Sequence, residues 1–122
     1  MMAMRALPSP RLTADVYETA GGDAYVVEIP VPGRTPDEIS VEATPDVLTV
    51  TAHPRKPRTE PVQAYLQREQ PVAVGPESRI FEFPADIDTD GIDATLQHGV
   101  LRIRVPKAAA SRRKVVVVEQ SA

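Results

Sequence analysis

Apolar and polar residues alternate with a period of two along most of the chain, and a helical period is nearly absent. Such alternation is typical of strands that have one face in a core and the other in solvent. The first two alternating runs extend from Leu12 to Tyr17 and from Tyr25 to Val31, with the glycine pair at Gly21 between them. The sequence therefore predicts a β-hairpin at its beginning.

Further alternating segments predict strands in the rest of the chain, each bounded by proline, glycine or aspartate. They are Ile39–Ala43, Val47–Ala52, Arg79–Phe83, Ile92–Leu96 and Val100–Val105, with Tyr65–Glu69 as a further short candidate. Seven or eight short strands separated by turns favour one antiparallel, immunoglobulin-like β-sandwich, an all-β fold.

One short segment carries the signature of a helix start. Thr35 can cap, Pro36 suits the first helical position, and Glu38 stands where the carboxylate of a capping box reaches back. Because no helical pattern follows, we expect a single turn here.

Composition narrows the fold and the function. Proline reaches 13 of the 122 residues, which excludes long helices, and aromatic residues make up only 4% of the chain, so Val, Ile, Leu and Ala must build the core. There is no cysteine, which excludes disulfides and thiolate chemistry, and no apolar run approaches a membrane span. With a net charge of -3, the chain is expected to be a soluble cytoplasmic protein.

One motif near the end of the chain is the most specific. Ala94 to Leu101 reads ATLQHGVL, and the alternating strand Arg102–Val105 follows and stops at Pro106. This motif resembles the signature of the small heat-shock protein, or α-crystallin, family. Three earlier stretches match the same family in order: Asp15–Glu28, Pro32–Val50 and Arg79–Pro84.

The resemblance implies an organisation and an activity. It implies an arm at residues 1–11, an α-crystallin-type sandwich at 12–106 and a flexible C-terminal extension at 107–122. It also implies an ATP-independent holdase, which binds partly unfolded proteins under stress and prevents their aggregation. The alternative is a co-chaperone-like adaptor that binds one folded partner on the same type of sandwich. We expect no enzyme, since the sequence has no nucleophile elbow, phosphate-binding glycine loop or plausible triad.

The resemblance further implies a groove that binds client proteins or the tail. Its candidate residues are Ile39, Val41 and Ala43 on one strand and Ile92, Ala94 and Leu96 on another. The same six residues are what any sandwich needs for its core, so a structural role stays open. The tail candidates are Val115, Val116, Val117 and Val118; a spacing of two places a pair of valines on one face of an extended segment. An ordinary terminal strand is the alternative.

A homodimer, able to build larger oligomers, is the expected assembly. The loop from His53 to Ala64 leads into Tyr65, Leu66 and Gln67, and in relatives this region is exchanged onto the first strands of a partner subunit. A surface loop is the alternative. Arg79 matches a family position at the dimer contact, or is a solvated arginine. Because the arm at residues 1–11 is short, we expect a dimer or a small set of oligomers rather than a closed cage.

Three other kinds of site are disfavoured. His53 and His98 lack partners at metal-ligand spacing, and the alternating Asp86, Asp88 and Asp90 have no downstream glutamate to complete a calcium loop, so we expect no metal and no cofactor. The basic clusters at residues 55–58 and 112–114 lack interleaved aromatic residues. We therefore expect a solvated loop and a tether, and no nucleic-acid partner.

Overall fold

Seven antiparallel strands and two short 3₁₀ turns make up the fold in the computed structural model, which describes residues 12–56, 59–70 and 75–109. The strands are β1 (Asp15–Glu18), β2 (Ala24–Pro30), β3 (Ile39–Ala43), β4 (Val47–Ala52), β5 (Glu77–Glu82), β6 (Asp93–Gln97) and β7 (Val100–Pro106). The turns are Pro36–Glu38 and Thr89–Gly91. The predicted all-β sandwich is confirmed.

The strands form two sheets. One has the order β1-β2-β7-β6 and the other the order β3-β4-β5. Alternation fixes the register: Val27 lies opposite both Val16 and Ile103, so one face of the larger sheet is apolar across three strands. Most predicted strand ends differ from the observed ones by one or two residues. The largest difference is Leu12, which was assigned to the first strand and lies before it.

The core fills the space between the two sheets. The largest fully buried side chains include Val27, Ile29 and Ile103 from the larger sheet and Leu48 and Val50 from the smaller one. Each such side chain contributes roughly 1.5–3 kcal/mol through burial. Since these residues stand at every second position, the alternation seen in the sequence is what builds the core.

The turn between β6 and β7 consists of His98 and Gly99, which both have a positive φ. Gly99 has a φ of 74°, and its neighbour His98 has a φ of 53°. Two successive residues at positive φ are typical of a type I′ hairpin turn, whose twist matches that of the flanking strands. The carbonyl of Gly99 also accepts a hydrogen bond from the backbone N–H of Val31, with N and O 2.7 Å apart.

Lys107 attaches the beginning of the predicted tail to the sandwich. Its backbone N–H donates to the carbonyl of Asp23 at 2.9 Å, and its ammonium group pairs with Glu18. This contact raises the pKa of Lys107. Ala108 then donates to the carbonyl of Asp86 at 2.8 Å. The direction in which the chain leaves the sandwich is therefore fixed. The predicted arm and the four tail valines lie outside the described residues.

Candidate interaction site

Within the residues that the structure describes, each sheet has two outer strands, and each outer strand has a neighbouring strand on one side only. These edge strands are β1 and β6 in the larger sheet and β3 and β5 in the smaller one. An edge strand presents backbone N–H and C=O groups that can pair with another chain. The edges are therefore the places where this fold can bind an extended segment.

The six predicted groove residues divide between the edges β3 and β6. Ile39, Val41 and Ala43 are half-buried on β3 and pack against the core. Ile92, which immediately precedes β6, and Leu96 do the same on the other side. Both edges thus border one core, and these five residues, although they pack against it, keep part of their apolar surface accessible.

Ala94 differs from the other five. It is exposed and is not among the residues that pack against the core. It lies opposite Ile103 in the ladder between β6 and β7. Because a methyl group is short, it leaves the surface between Ile92 and Leu96 open.

The loop between β4 and β5 presents apolar side chains to solvent. Tyr65 is 42% exposed, and Leu66 is fully exposed at 103%. Gln67 is exposed beside them. Residues 65–69 do not form the short strand that the sequence suggested as a candidate, and all five are exposed.

The β1 edge also carries apolar surface, which the sequence did not indicate. Val16 is 46% exposed although it shares the inward face of the sheet with Val27. Tyr17, on the opposite face, is 43% exposed, and its hydroxyl donates to Glu28 at 3.1 Å. The three-stranded sheet does not cover β1, so Val16 lies at the margin of the core.

Comparison with known proteins shows which family has this arrangement of strands. The sequence profile of the Hsp20/alpha crystallin family matches residues 17–119. The chain belongs to that family. It is 28% identical to small heat shock protein C2 of Rickettsia felis over 105 residues, which are 86% of this chain and 66% of that protein.

Solved structures of the Hsp20/alpha crystallin family have the same fold. The hspA protein of Xanthomonas axonopodis is 31% identical, with a TM-score of 0.61 over 79% of this chain and 92% of that one. A small heat-shock protein of Xylella fastidiosa, described as having a distinct high order structure, is 27% identical, with a TM-score of 0.65 over 89% of this chain and 96% of that one. The match spans between 61% and 70% of the length of the curated relatives, and less than two thirds of most of them.

Arg79, which the family resemblance places at a dimer contact, binds its own chain. Its guanidinium donates to the carbonyl of Leu12 at 2.6 Å and lies 5.3 Å from the centre of the Phe81 ring. Arg79 therefore holds the segment before β1 against β5. A guanidinium has five N–H donors, so this contact leaves capacity for a second subunit. The dimer contact at Arg79 stays a prediction.

The 3₁₀ turn before β3 joins the beginning of the β4–β5 loop through charged groups. The backbone N–H of Thr35 donates to Oε1 of Glu38 at 2.9 Å, as the capping signature predicted. This bond lowers the pKa of Glu38. Lys56 lies 2.7 Å from Asp37, and the hydrogen bond between them lowers the pKa of Asp37 from 3.8 to about 2 and raises that of Lys56.

The sequence predicted the hydrogen bond between Thr35 and Glu38, but it did not predict the contacts of this turn with Lys56. Glu38 also accepts from the backbone N–H of Lys56, eighteen positions away, at 3.0 Å. No short motif encodes a contact at that separation. The opposite charges of Asp37 and Lys56 were the only available signal, and charges alone do not specify partners.

The structure also describes the surroundings of the two histidines and of the acidic loop with Asp86, Asp88 and Asp90. His53 and His98 are exposed, and Asp88 accepts a hydrogen bond from the backbone N–H of Asp90 at 3.2 Å, which caps the second 3₁₀ turn. Within residues 12–56, 59–70 and 75–109, no three His, Asp or Glu side chains are grouped so as to hold a metal ion. No helix in the same ranges is long and apolar enough to cross a membrane.

Proposed function

We propose that this chain is an ATP-independent chaperone that binds partly unfolded proteins and prevents their aggregation. The observation that carries the proposal is the half-buried apolar surface of Val41 and Leu96 at two open strand edges that border one core. An unfolding protein exposes extended apolar segments. Burial of such a segment returns about 25 cal/mol per Å², and the open edge supplies backbone partners.

The tail is proposed as a competing occupant of the same groove. Two of the valines at 115–118, spaced by two residues, would place their side chains toward β3 and β6 of a neighbouring subunit. Ala94 supports this arrangement, because its short side chain leaves space between Ile92 and Leu96. Release of the tail would then uncover the surface that binds clients.

Subunit pairing is proposed to involve the β4–β5 loop and the β1 edge. Leu66 and Tyr65 on the loop and Val16 on β1 expose apolar surface in the single chain. Docking of the loop of one copy along β1 of a second copy would cover all three side chains.

Light scattering of a heat-aggregating client, without nucleotide, tests the chaperone proposal. Val41→Thr makes one groove position polar with little change in shape. Val100→Thr is the matched control, because Val100 is exposed and lies outside the groove on β7. We expect the natural chain and Val100→Thr to suppress scattering, and Val41→Thr to require a several-fold higher ratio of chaperone to client.

The outcomes separate the candidate functions. Equal suppression by both variants would remove the groove from the proposal and leave the chaperone activity. An unchanged scattering curve with the natural chain at near-stoichiometric ratio would exclude the holdase. The adaptor would then be the better interpretation of the same sandwich.

Sedimentation over a dilution series tests the subunit pairing. Leu66→Ser removes the most exposed apolar side chain of the loop, and Ile80→Ser removes a 64% exposed side chain from β5 as a control. We expect Leu66→Ser to shift dissociation to higher concentration by tenfold or more, since burying a leucine contributes about 1.5–3 kcal/mol. Equal behaviour of the two variants would contradict the proposed contact.

A further inference from the structure

Glu38 is buried although it carries a charge. At 6% exposure, it is the only charged residue that is buried within the described ranges 12–56, 59–70 and 75–109. A buried charge is retained where hydrogen bonds compensate for the loss of water. Oε1 accepts from the N–H of Thr35 at 2.9 Å, and Oε2 accepts from the N–H of Lys56 at 3.0 Å. The hydroxyl of Thr35, which has one proton, lies within hydrogen-bond distance of both Oε1 of Glu38 and Oδ1 of Asp37.

The main chain of Glu38 holds the same loop a second time. Its carbonyl accepts from the N–H of His53 at 2.7 Å. Glu38 therefore binds both ends of residues 53–56, which we name the loop root. Arg34 adds a third contact, because its Nε donates to the carbonyl of His53 at 3.0 Å. Farther along the β4–β5 loop, all of residues 59–70 are exposed.

We infer that Glu38 is a positioning residue for subunit pairing, because it fixes against the 3₁₀ turn the loop root from which the loop departs to dock on a second copy. This inference rests on the proposed docking of the loop along β1. A fixed root sets the direction in which the loop leaves its own subunit. Direction matters more than the length that is immobilised, because the entropy of closing a loop changes only slowly with its length.

Asp37 provides a matched control for Glu38. Both are acidic residues of the same turn, and both contact Lys56. Asp37, however, binds the ammonium group, and the side chains of the two partners are 60% and 73% exposed. Exposed ion pairs contribute little to stability. Glu38→Gln and Asp37→Asn thus remove the same charge at adjacent positions, but only Glu38→Gln affects the loop root.

The experiment compares these two variants in the full chain by hydrogen exchange and by the dimer dissociation constant. Glutamine keeps the shape of glutamate but has one carbonyl oxygen, so it cannot accept from both Thr35 and Lys56. We expect the Lys56 amide to exchange about tenfold faster in Glu38→Gln, with about a tenfold weaker dimer. Asp37→Asn should stay within about twofold of the natural chain in both measurements.

Core amides, such as that of Val27, distinguish a positioning role from a structural one. They should be unchanged in both variants. Faster exchange throughout the core of Glu38→Gln, or loss of its fold, would make Glu38 merely structural and overturn the inference. An unchanged Lys56 amide, or a faster amide with an unchanged dimer, would overturn it as well. A natural chain that is monomeric at every concentration would instead refute the proposed pairing, before any variant is measured.

Discussion

The rings of Tyr25 and Phe83 stack with their centres 4.7 Å apart and their planes inclined by 18°. Tyr25 belongs to β2 in the larger sheet, and Phe83 directly follows β5 in the smaller one. The ammonium group of Lys107 lies 5.0 Å from the centre of the Tyr25 ring. One aromatic pair therefore joins the two sheets at the end of the sandwich from which the tail departs.

Replacement of Phe83 by leucine tests this pair. The variant keeps an apolar side chain but loses the ring contact, so we expect the free energy of unfolding to fall by about 1 kcal/mol. Urea denaturation followed by circular dichroism measures it. Ile80→Leu, at an exposed position, should change the value by less than about 0.5 kcal/mol. Equal effects of the two substitutions would show that the stacking contributes nothing beyond burial.

His98 occupies a backbone conformation that suits another residue better. At a φ of 53°, a side chain with a Cβ is strained, and asparagine tolerates this region more readily. We expect His98→Asn to raise the free energy of unfolding by about 0.5–1 kcal/mol, since Asn-Gly is the preferred pair for this turn. Thermal unfolding measures the change. Stabilisation by His98→Ala as well would attribute the effect to loss of the imidazole and contradict the conformational explanation.

The ion pair between Asp37 and Lys56 makes stability depend on pH in a defined window. Its hydrogen bond with Lys56 lowers the pKa of Asp37 from 3.8 to about 2. A carboxyl whose pKa is lower in the folded chain contributes stability above its ordinary pKa and loses it as the pH falls through the folded value. The contribution should therefore be complete above about pH 4 and vanish by about pH 2.

Asp37→Asn isolates that contribution from those of the other carboxyl groups. Urea unfolding of both chains between pH 5 and pH 2 should give a difference that shrinks as the pH falls. The neighbouring Glu38 titrates in both chains, so its effect cancels to first order. A difference that is constant over the window would mean that the carboxylate of Asp37 has no charge-dependent partner in the folded chain.

The four tail valines are predicted to connect subunits. Replacement of Val115, Val116, Val117 and Val118 by alanine should reduce the assembly toward dimers. We expect the fold to survive, because the last described strand ends at Pro106, before the valines in the sequence. Light scattering coupled to size exclusion measures the molar mass. The control replaces Arg112, Arg113 and Lys114 by glutamine. It changes the same segment without touching the valines, and it should leave the molar mass unchanged. An unchanged mass in the alanine variant would favour an ordinary terminal segment.

The strands were predictable because their signal is local. Alternation in β4 and β7 places a buried residue at every second position, and a one-residue slip would turn each apolar face toward solvent. The turns were predictable as well, because the conformational preferences of Thr35, Pro36 and Gly99 follow from their residue types. The apolar positions of β3 and β6 were predictable for the same reason, whereas their role as a groove stays a prediction.

Contacts between distant segments were not predictable. The bond from Lys56 to Glu38 depends on where β4 ends relative to the 3₁₀ turn, and the bond from Arg79 to Leu12 depends on how the two sheets stack. Neither contact leaves a periodic trace in the sequence. The candidate strand at Tyr65–Glu69 does not form in the single chain. Its proposed pairing with a second copy is a contact of the same distant kind.

The pairing of β2 with β7 has a consequence for synthesis. Ala24 lies opposite Pro106, so the middle of the four-stranded sheet joins segments near the two ends of the described chain. A nascent chain emerging from the ribosome can complete β3, β4 and β5 while β2 still awaits its partner. Until β7 emerges, one side of Val27 and Ile29 has no strand beside it. Because such distant pairings are slow, the newborn chain itself passes through an interval in which it exposes the kind of surface that it is proposed to bind.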